Sequence, residues 1–227
     1  MGIFDATVNH EVYMPIERIA VYIDGFNLYH ALDALNAPAL KWVNLRRLSD
    51  LLIARKNQKI VKVAYFSAYA HHFQNTPFEG RLRRHRAYVA ALKAKNVYVR
   101  LGNFAKRSLD YKAKGFKASW TRREEKQTDV AIGVQVMRDA YCDVFDAAYI
   151  VSCDTDLVPV FEMGTATFPQ KRFVTVAPPG RAHHQKLLDI ATDHLVIKRS
   201  QIEKALFGPR VISGGKVVAI RPPSYRP

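Results

Sequence analysis

Four aspartates, Asp24, Asp129, Asp154 and Asp156, are the residues of this chain whose type and setting point to chemistry. Asp24 opens the run Asp24-Gly25-Phe26-Asn27. Asp154 and Asp156 lie in Ser152-Cys153-Asp154-Thr155-Asp156, and Asp129 closes Lys126-Gln127-Thr128-Asp129. Gathered together, such acids are costly. Two carboxylates about 4 Å apart repel by roughly 4 kcal/mol at an effective dielectric of about 20. Protonation or a divalent cation relieves the repulsion. An all-oxygen donor set favours Mg²⁺ or Mn²⁺ over zinc. A cation so held, facing a phosphate, activates water and stabilises a leaving oxygen, which is the chemistry of phosphodiester hydrolysis. Each aspartate also has a plainer reading. Asp24 before Gly25 suits an Asx-turn. Thr128 or Asp129 suits a helix N-cap, and Asp154 or Thr155 suits the cap of a helix starting near Leu157, with Pro159 tolerated in its first turn.

The surrounding elements decide between these readings. Short apolar, β-branched runs at 19–23, 60–66, 96–101, 147–151, 172–177 and 194–197 read as strands. Several are almost wholly apolar, as parallel strands covered on both faces are. Helical patterns occupy 45–54, 81–95, 129–140, 157–163, 184–190 and 201–206. Within 129–140, Val130, Val134, Met137 and Tyr141 follow the i, i+4, i+7 spacing of an apolar helix face. This alternation predicts an α/β fold, a parallel sheet in a three-layer α/β/α arrangement with helices on both faces. Ligands of such sheets bind outside the carboxyl ends of the strands. Asp24 and Asp154 follow the first and fourth strands there, and Asp129 heads the helix that feeds the fourth. The stretch 102–123 lacks clear periodicity and is expected as a long loop. The expected organisation is an N-terminal extension 1–17, one domain 18–207 and a flexible tail 208–227, the tail rich in Gly and Pro.

Charge points to a polyanionic partner. Among 227 residues, 35 Lys and Arg against 20 Asp and Glu leave +15. Between Arg81 and Lys126, fifteen Lys and Arg face three acids, so this one segment carries +12. It opens with Arg81, Arg83, Arg84 and Arg86 and continues through Lys106, Arg107, Arg122, Arg123 and Lys126, with Tyr88, Tyr98, Phe104, Tyr111, Phe116 and Trp120 interleaved. Cations for phosphates beside rings for bases are the ingredients of a single-strand binding surface. The plainer alternative is a solvated helix face with its rings turned inward.

At Val21-Tyr22-Ile23-Asp24-Gly25-Phe26-Asn27-Leu28, Lys126-Gln127-Thr128-Asp129-Val130 and Tyr149–Pro159 the chain resembles the NYN domain, a PIN-like nuclease fold, and in particular its bacterial LabA-like branch. Ala191-Thr192-Asp193-His194-Leu195-Val196 is similar to the family's turn into a last strand, and the resemblance runs from about Arg18 to Ile197. It implies a Rossmann-like sheet and a metal-dependent ribonuclease. By position it makes Asp24, Asp129, Asp154 and Asp156 the catalytic, metal-binding acids for Mg²⁺ or Mn²⁺. Asn27 and Ser152 become polar neighbours that orient a ligand or water. It also implies single-stranded or looped RNA as substrate and partner, with products ending in 5′-phosphate and 3′-hydroxyl. PIN-like folds often pair, which leaves a homodimer open. Many members carry a further acid about two turns into the central helix, where Gln135 stands here; glutamine brings no charge.

Two alternatives stay open. One is a catalytically weak RNA-binding or regulatory module on the same fold. The other is a phosphatase of small phosphate esters, which fits the paired acids but not the basic segment. Two cysteines outside any CxxC pair, Cys142 and Cys153, argue against a disulfide scaffold and a zinc knuckle and suit a cytoplasmic setting. No apolar run is long enough to span a membrane, and the first residues lack the pattern of a secretory signal. His71-His72 and His183-His184 lack zinc spacing. Arg181, after the fifth strand, is either part of a plain turn or a phosphate contact.

Overall fold

A computed structural model describes residues 15–53, 56–113 and 116–226, with residues 103–113 and 116–126 described as backbone only. Residues 1–14 of the expected N-terminal extension lie outside the described residues, and β1 (Glu17–Asp24) begins the fold. Along β1 the side chains alternate between faces. Ile19, Val21 and Ile23 join one apolar cluster, and Ala20 and Tyr22 join the other. Both faces are therefore covered, which is why the run looks continuously apolar.

From β1 the chain passes through α1 (Gly25–Ala34) and α2 (Leu45–Asp50) to β2 (Gln58–Ala68), then through α3 (Glu79–Lys93) to β3 (Tyr98–Ala113). β4 (Phe116–Lys126) returns antiparallel to β3. α4 (Thr128–Tyr141) crosses back to β5 (Ala147–Val151), and α5 (Val158–Thr167), β6 (Arg172–Ala177), α6 (Gln185–Ile190) and β7 (Asp193–Val196) follow. The sheet order is β4-β3-β2-β1-β5-β6-β7, every pair but β3–β4 being parallel. The winding reverses between β1 and β5, so the crevice expected of a switch point opens beside Asp24. One face is covered by α1, α2, α3 and α7 (Arg199–Lys204), through Leu28, Leu32, Leu48, Leu92 and Ile202. The other is covered by α4, α5 and α6, through Ile132, Val136, Phe161 and Leu187. This is the three-layer α/β/α sandwich that the strand–helix alternation predicts.

Four features differ from the sequence pattern. The helix α1 stands where Gly25 and Asn27 favour a turn. It forms because Asp24 caps it and Leu28, Ala31 and Leu32 bury one side. The segment 102–123, expected as a loop, belongs to a long hairpin whose register runs from Asn103↔Lys126 to Ala113↔Phe116. Backbone pairing supplies its order without an apolar alternation to announce it. The tail 208–227, expected to be flexible, contains β8 (Arg210–Ser213) and β9 (Lys216–Ile220), a hairpin whose Val211 and Ala219 are buried. The Trp42 indole donates to the Gly208 carbonyl at 3.0 Å and secures its start.

The fourth difference concerns the face of α4. Val130, Val134 and Tyr141 are 71%, 55% and 64% exposed, while Gln135 and Asp139 are buried. Ile132, Val136 and Ala140 form the apolar stripe that packs on the sheet, and a buried polar network lies beside them. Asp139 accepts from the Tyr22 hydroxyl at 2.8 Å, from the Gln135 amide at 2.9 Å and from the Lys62 ammonium. Burial, reinforced by the Asp139 charge, pushes the Tyr22 phenol far above its ordinary value, so it stays a donor. No helix among the described residues is long and apolar enough to cross a membrane.

Candidate active site

Ile23 pairs with Val151, so the chain leaves β1 and β5 side by side at the carboxyl edge of the sheet. Asp24 and Ser152 are the next residues. Asp24 Oδ1 accepts from the backbone N–H groups of Phe26 and Asn27 at 3.0 Å each, which caps α1. Its Oδ2 accepts from the Ser152 hydroxyl at 3.0 Å. Ser152 Oγ in turn accepts from the Asp154 N–H at 3.1 Å, and Asn27 Oδ1 accepts from the Cys153 N–H at 3.3 Å. Asn27 and Ser152 thus tie the β1–α1 turn to the loop after β5. Asp154 Oδ1 accepts from the Asp156 N–H at 2.9 Å. Asp24, expected in an Asx-turn, caps α1, and Asp154 caps the short 3₁₀ turn Thr155–Leu157. Gln127, and not Thr128 or Asp129, stands at the cap of α4. The caps at Asp24 and Asp154 coexist with a shared cavity.

That cavity, of about 420 Å³, is lined by Asp24, Asn27, Asp129 and Asp154, with Phe26, His30, Thr128, Cys153 and Arg181 completing the wall. Asp129 reaches it because Gln127 adopts a left-handed turn, φ +79°, that aims the start of α4 at the sheet edge. Asp156 is exposed and stands outside the wall, although its charge is felt at Asp129. The electrostatics match a crowd of acids. Burial pushes the Asp24 carboxyl up to about 6, with the Asp129 charge adding, against hydrogen bonds from Asn27, Ser152 and Phe26 that hold it down. Asp129 is raised by its own burial and then by the charges of Asp154 and Asp156. Burial also pushes the Cys153 thiol up, which keeps it from being a nucleophile.

Among the described residues, no three His, Cys, Asp or Glu are arranged to hold one metal ion. Asp24 already uses both oxygens as acceptors, whereas Asp154 commits Oδ1. The donor chemistry still fits a hard cation. Mg²⁺ is commonly held by one or two carboxylates while waters and phosphate oxygens complete its shell.

Gln135, which the resemblance sets where other members carry a further acid, is absent from the cavity wall and donates to Asp139. Of the basic residues, Arg81 and Arg84 line a second cavity on the α3 side. Arg83 and Arg86 project from α3, Arg86 lying 6.0 Å from the Tyr69 ring. The side chains of Lys106, Arg107, Arg122, Arg123 and Lys126 lie outside the described residues. Their backbone register sets Lys106 opposite Arg123 and Arg107 opposite Arg122. Sequence reasoning missed Phe26 and His30 as wall residues, because the turn preferences of Gly25 and Asn27 mask α1. Their i, i+4 spacing, with ring centroids 6.1 Å apart, was the available signal.

The three-layer α/β/α sheet, with six parallel strands, is consistent with a PIN-like domain. The NYN domain model matches residues 18–194, most of the chain, and the protein belongs to the NYN domain family. It is 26% identical over 243 residues to the 6-hydroxy-3-succinoylpyridine 3-monooxygenase HspA of Pseudomonas putida (strain DSM 28022 / S16), covering 92% of this chain and 75% of that one. A crystal structure of a protein of unknown function from Vibrio parahaemolyticus RIMD 2210633 shares the fold. Its TM-score is 0.52 at 21% identity, covering 81% of this chain and 94% of that one.

Proposed function

We propose that this protein is a Mg²⁺- or Mn²⁺-dependent endoribonuclease that hydrolyses phosphodiester bonds of single-stranded or looped RNA. The observation that carries the reading is the meeting of Asp24, Asp129 and Asp154, from three separate segments, around one cavity in a strongly basic chain. Of Asp24, Asp129, Asp154 and Asp156, one or two would hold the cation directly, with the others acting through the waters of its shell. Bound there, the cation supplies a nucleophilic water and charge for the leaving oxygen. The chain itself does the positioning. Ser152 and Asn27 fix the two acidic turns against each other, and Arg181 offers the phosphate a cation on the cavity wall. The β3–β4 hairpin sets cations opposite one another, an arrangement that like-charge repulsion disfavours until a polyanion lies across it. The implied products carry 5′-phosphate and 3′-hydroxyl ends.

The test is cleavage of labelled single-stranded RNA by purified protein with Mg²⁺, Mn²⁺ or EDTA. Asp154→Asn should abolish cutting and leave RNA affinity equal or higher, because a repulsive charge is removed. Cutting at the parental rate would remove Asp154 from the site. RNA bound but never cut, with any metal, would favour a regulatory RNA-binding module instead. Replacing Arg83, Arg84 and Arg86 together by Ala should weaken RNA binding and flatten its salt dependence. Three lost phosphate contacts on a single strand correspond to a change in log–log slope of about 2. An unchanged slope would place the RNA surface elsewhere.

A second reading rests on the second cavity. The Pseudomonas relative is named as a monooxygenase of a substituted pyridine, and the aromatic lining of this cavity suits a ring of that kind. That reading requires no RNA cleavage, and RNA turnover lost in Asp154→Asn would favour the ribonuclease reading over it.

A further inference from the structure

Next to the acidic cavity lies a second one of about 310 Å³, and the two share Phe26 and His30 as wall residues. Its volume falls at the lower end of small-ligand sites, about 300–1,000 Å³. Three kinds of group line it. Rings come from Tyr29, Tyr65, Phe73 and Tyr225. Ser67 and His85 form a polar pair, Oγ to Nε2 3.4 Å. Burial pushes the His85 imidazole down to about 4, so at neutral pH it is uncharged and offers one donor and one acceptor.

Arg81 and Arg84 supply the third kind. Arg81 lies 5.5 Å and 5.3 Å from the Phe73 and Phe78 rings, and Arg84 lies 5.9 Å from the Tyr225 ring. Among the described residues neither pairs with a carboxylate at ion-pair distance. Two such cations at the mouth of a ring-lined cavity call for an anion attached to a flat ring. Gly25 lets α1 lie close against β2 at this second cavity. A Cβ there would meet the Phe66 carbonyl oxygen and the Tyr65 ring, both at 2.6 Å.

We propose that this second cavity is a base subsite. It takes the nucleobase adjoining the phosphate that enters the acidic cavity, stacks it on the tyrosine rings, and seats a flanking phosphate on Arg81 and Arg84. The inference rests on the ribonuclease reading and adds to it a place where base identity is sensed. A base fits better than a free aromatic acid for two reasons. The shared wall residues Phe26 and His30 set the ring site directly beside the acid site. The Ser67–His85 pair also matches the mixed donors and acceptors of a base edge.

The experiment is a ligand-observed NMR titration of the full chain in EDTA. The probes are the four nucleoside 5′-monophosphates, ribose 5-phosphate and 4-hydroxybenzoate. At least one nucleotide should bind at least about tenfold tighter than ribose 5-phosphate, as a stacked base requires. The double variant Arg81→Gln/Arg84→Gln should weaken that nucleotide at least about tenfold, while Asp154→Asn leaves it unchanged or tighter. Circular dichroism melts verify that the variants are folded. The subsite is overturned if no nucleotide binds, if ribose 5-phosphate binds as well, or if the arginine variant binds as the parent does. It is also overturned if 4-hydroxybenzoate outcompetes every nucleotide. Failure of the parent reading is distinguishable. Nucleotide binding without any RNA cleavage sinks the nuclease alone, and cleavage without nucleotide binding sinks the subsite alone.

Discussion

Asp24→Asn is expected to abolish RNA cleavage and, at the same time, to make the protein more stable at pH 7.5. The loss of activity should be at least about a thousandfold, equivalent to roughly 4 kcal/mol of transition-state stabilisation. The stability gain follows from the burial of a charge. Asp24 is 4% exposed, and its carboxyl is pushed up to about 6, first by burial and then by Asp129. A carboxyl whose folded value lies above its unfolded value of about 3.9 is a liability wherever it is ionised. The liability is absent below about pH 4, grows as pH rises to about 6, and is complete above that, at roughly 3 kcal/mol. Asparagine keeps the shape. Its oxygen can still accept from the Phe26 and Asn27 N–H groups, and its amide can donate to Ser152 Oγ. Urea titrations should therefore show the variant roughly 2–3 kcal/mol more stable than the parent at pH 7.5, with the gap closing by pH 4. Added Mg²⁺ or Mn²⁺ should raise the parent's midpoint more than the variant's, since an ion that binds only the folded state stabilises it. Equal stability of the two proteins at pH 7.5 would mean that Asp24 is not held as an unrelieved charge.

Asp139→Ala should have the opposite sign and a larger size, a loss of about 3–5 kcal/mol. Asp139 is the single acceptor on which Tyr22, Gln135 and Lys62 converge, between α4 and the sheet. Removing it leaves a buried phenol, a buried amide and a largely covered ammonium without their partner. Each unsatisfied group carries a desolvation cost of about 1–3 kcal/mol, more if charged. Val130→Ala, on the exposed side of the same helix, is the control and should change stability by less than about 0.5 kcal/mol. A loss below about 1 kcal/mol for Asp139→Ala would show that apolar packing, not this network, orients α4. Because α4 carries Asp129 to the cavity, that orientation bears directly on the active site.

Much of the fold is legible in the residue pattern alone. The six parallel strands follow apolar β-branched runs, and β1, β5 and β6, buried on both faces, leave no polar alternation, whereas the edge strand β7 is largely exposed. Their spacing with helices dictates the layered sheet. The placement of three acids is legible too: Asp24 and Asp154 follow strands and Asp129 sits at a helix start, and all three line one cavity, whereas Asp156 stands outside its wall. Local capping does not conflict with this, since Asp24 and Asp154 each cap a helix while facing the cavity.

What the linear sequence determined alone is the set of elements that local periodicity writes, together with the total charge and the turns that carry acids. Tertiary structure decided three things that periodicity does not encode. It turned α4 so that Val130 and Val134 face outward, because Ile132, Val136 and Ala140 form the stripe that packs on the sheet, with Asp139 and Gln135 satisfied beside it. It built a helix from Gly25 onward, because the Asp24 cap and contacts from Leu28 and Leu32 override the turn preferences of Gly25 and Asn27. It also hollowed a ring-lined cavity beside the acids from residues of β2, α1, α3 and the C-terminal segment, which no local pattern relates. Long-range packing sets each of these, and packing energy depends on which surfaces meet, not on their order along the chain.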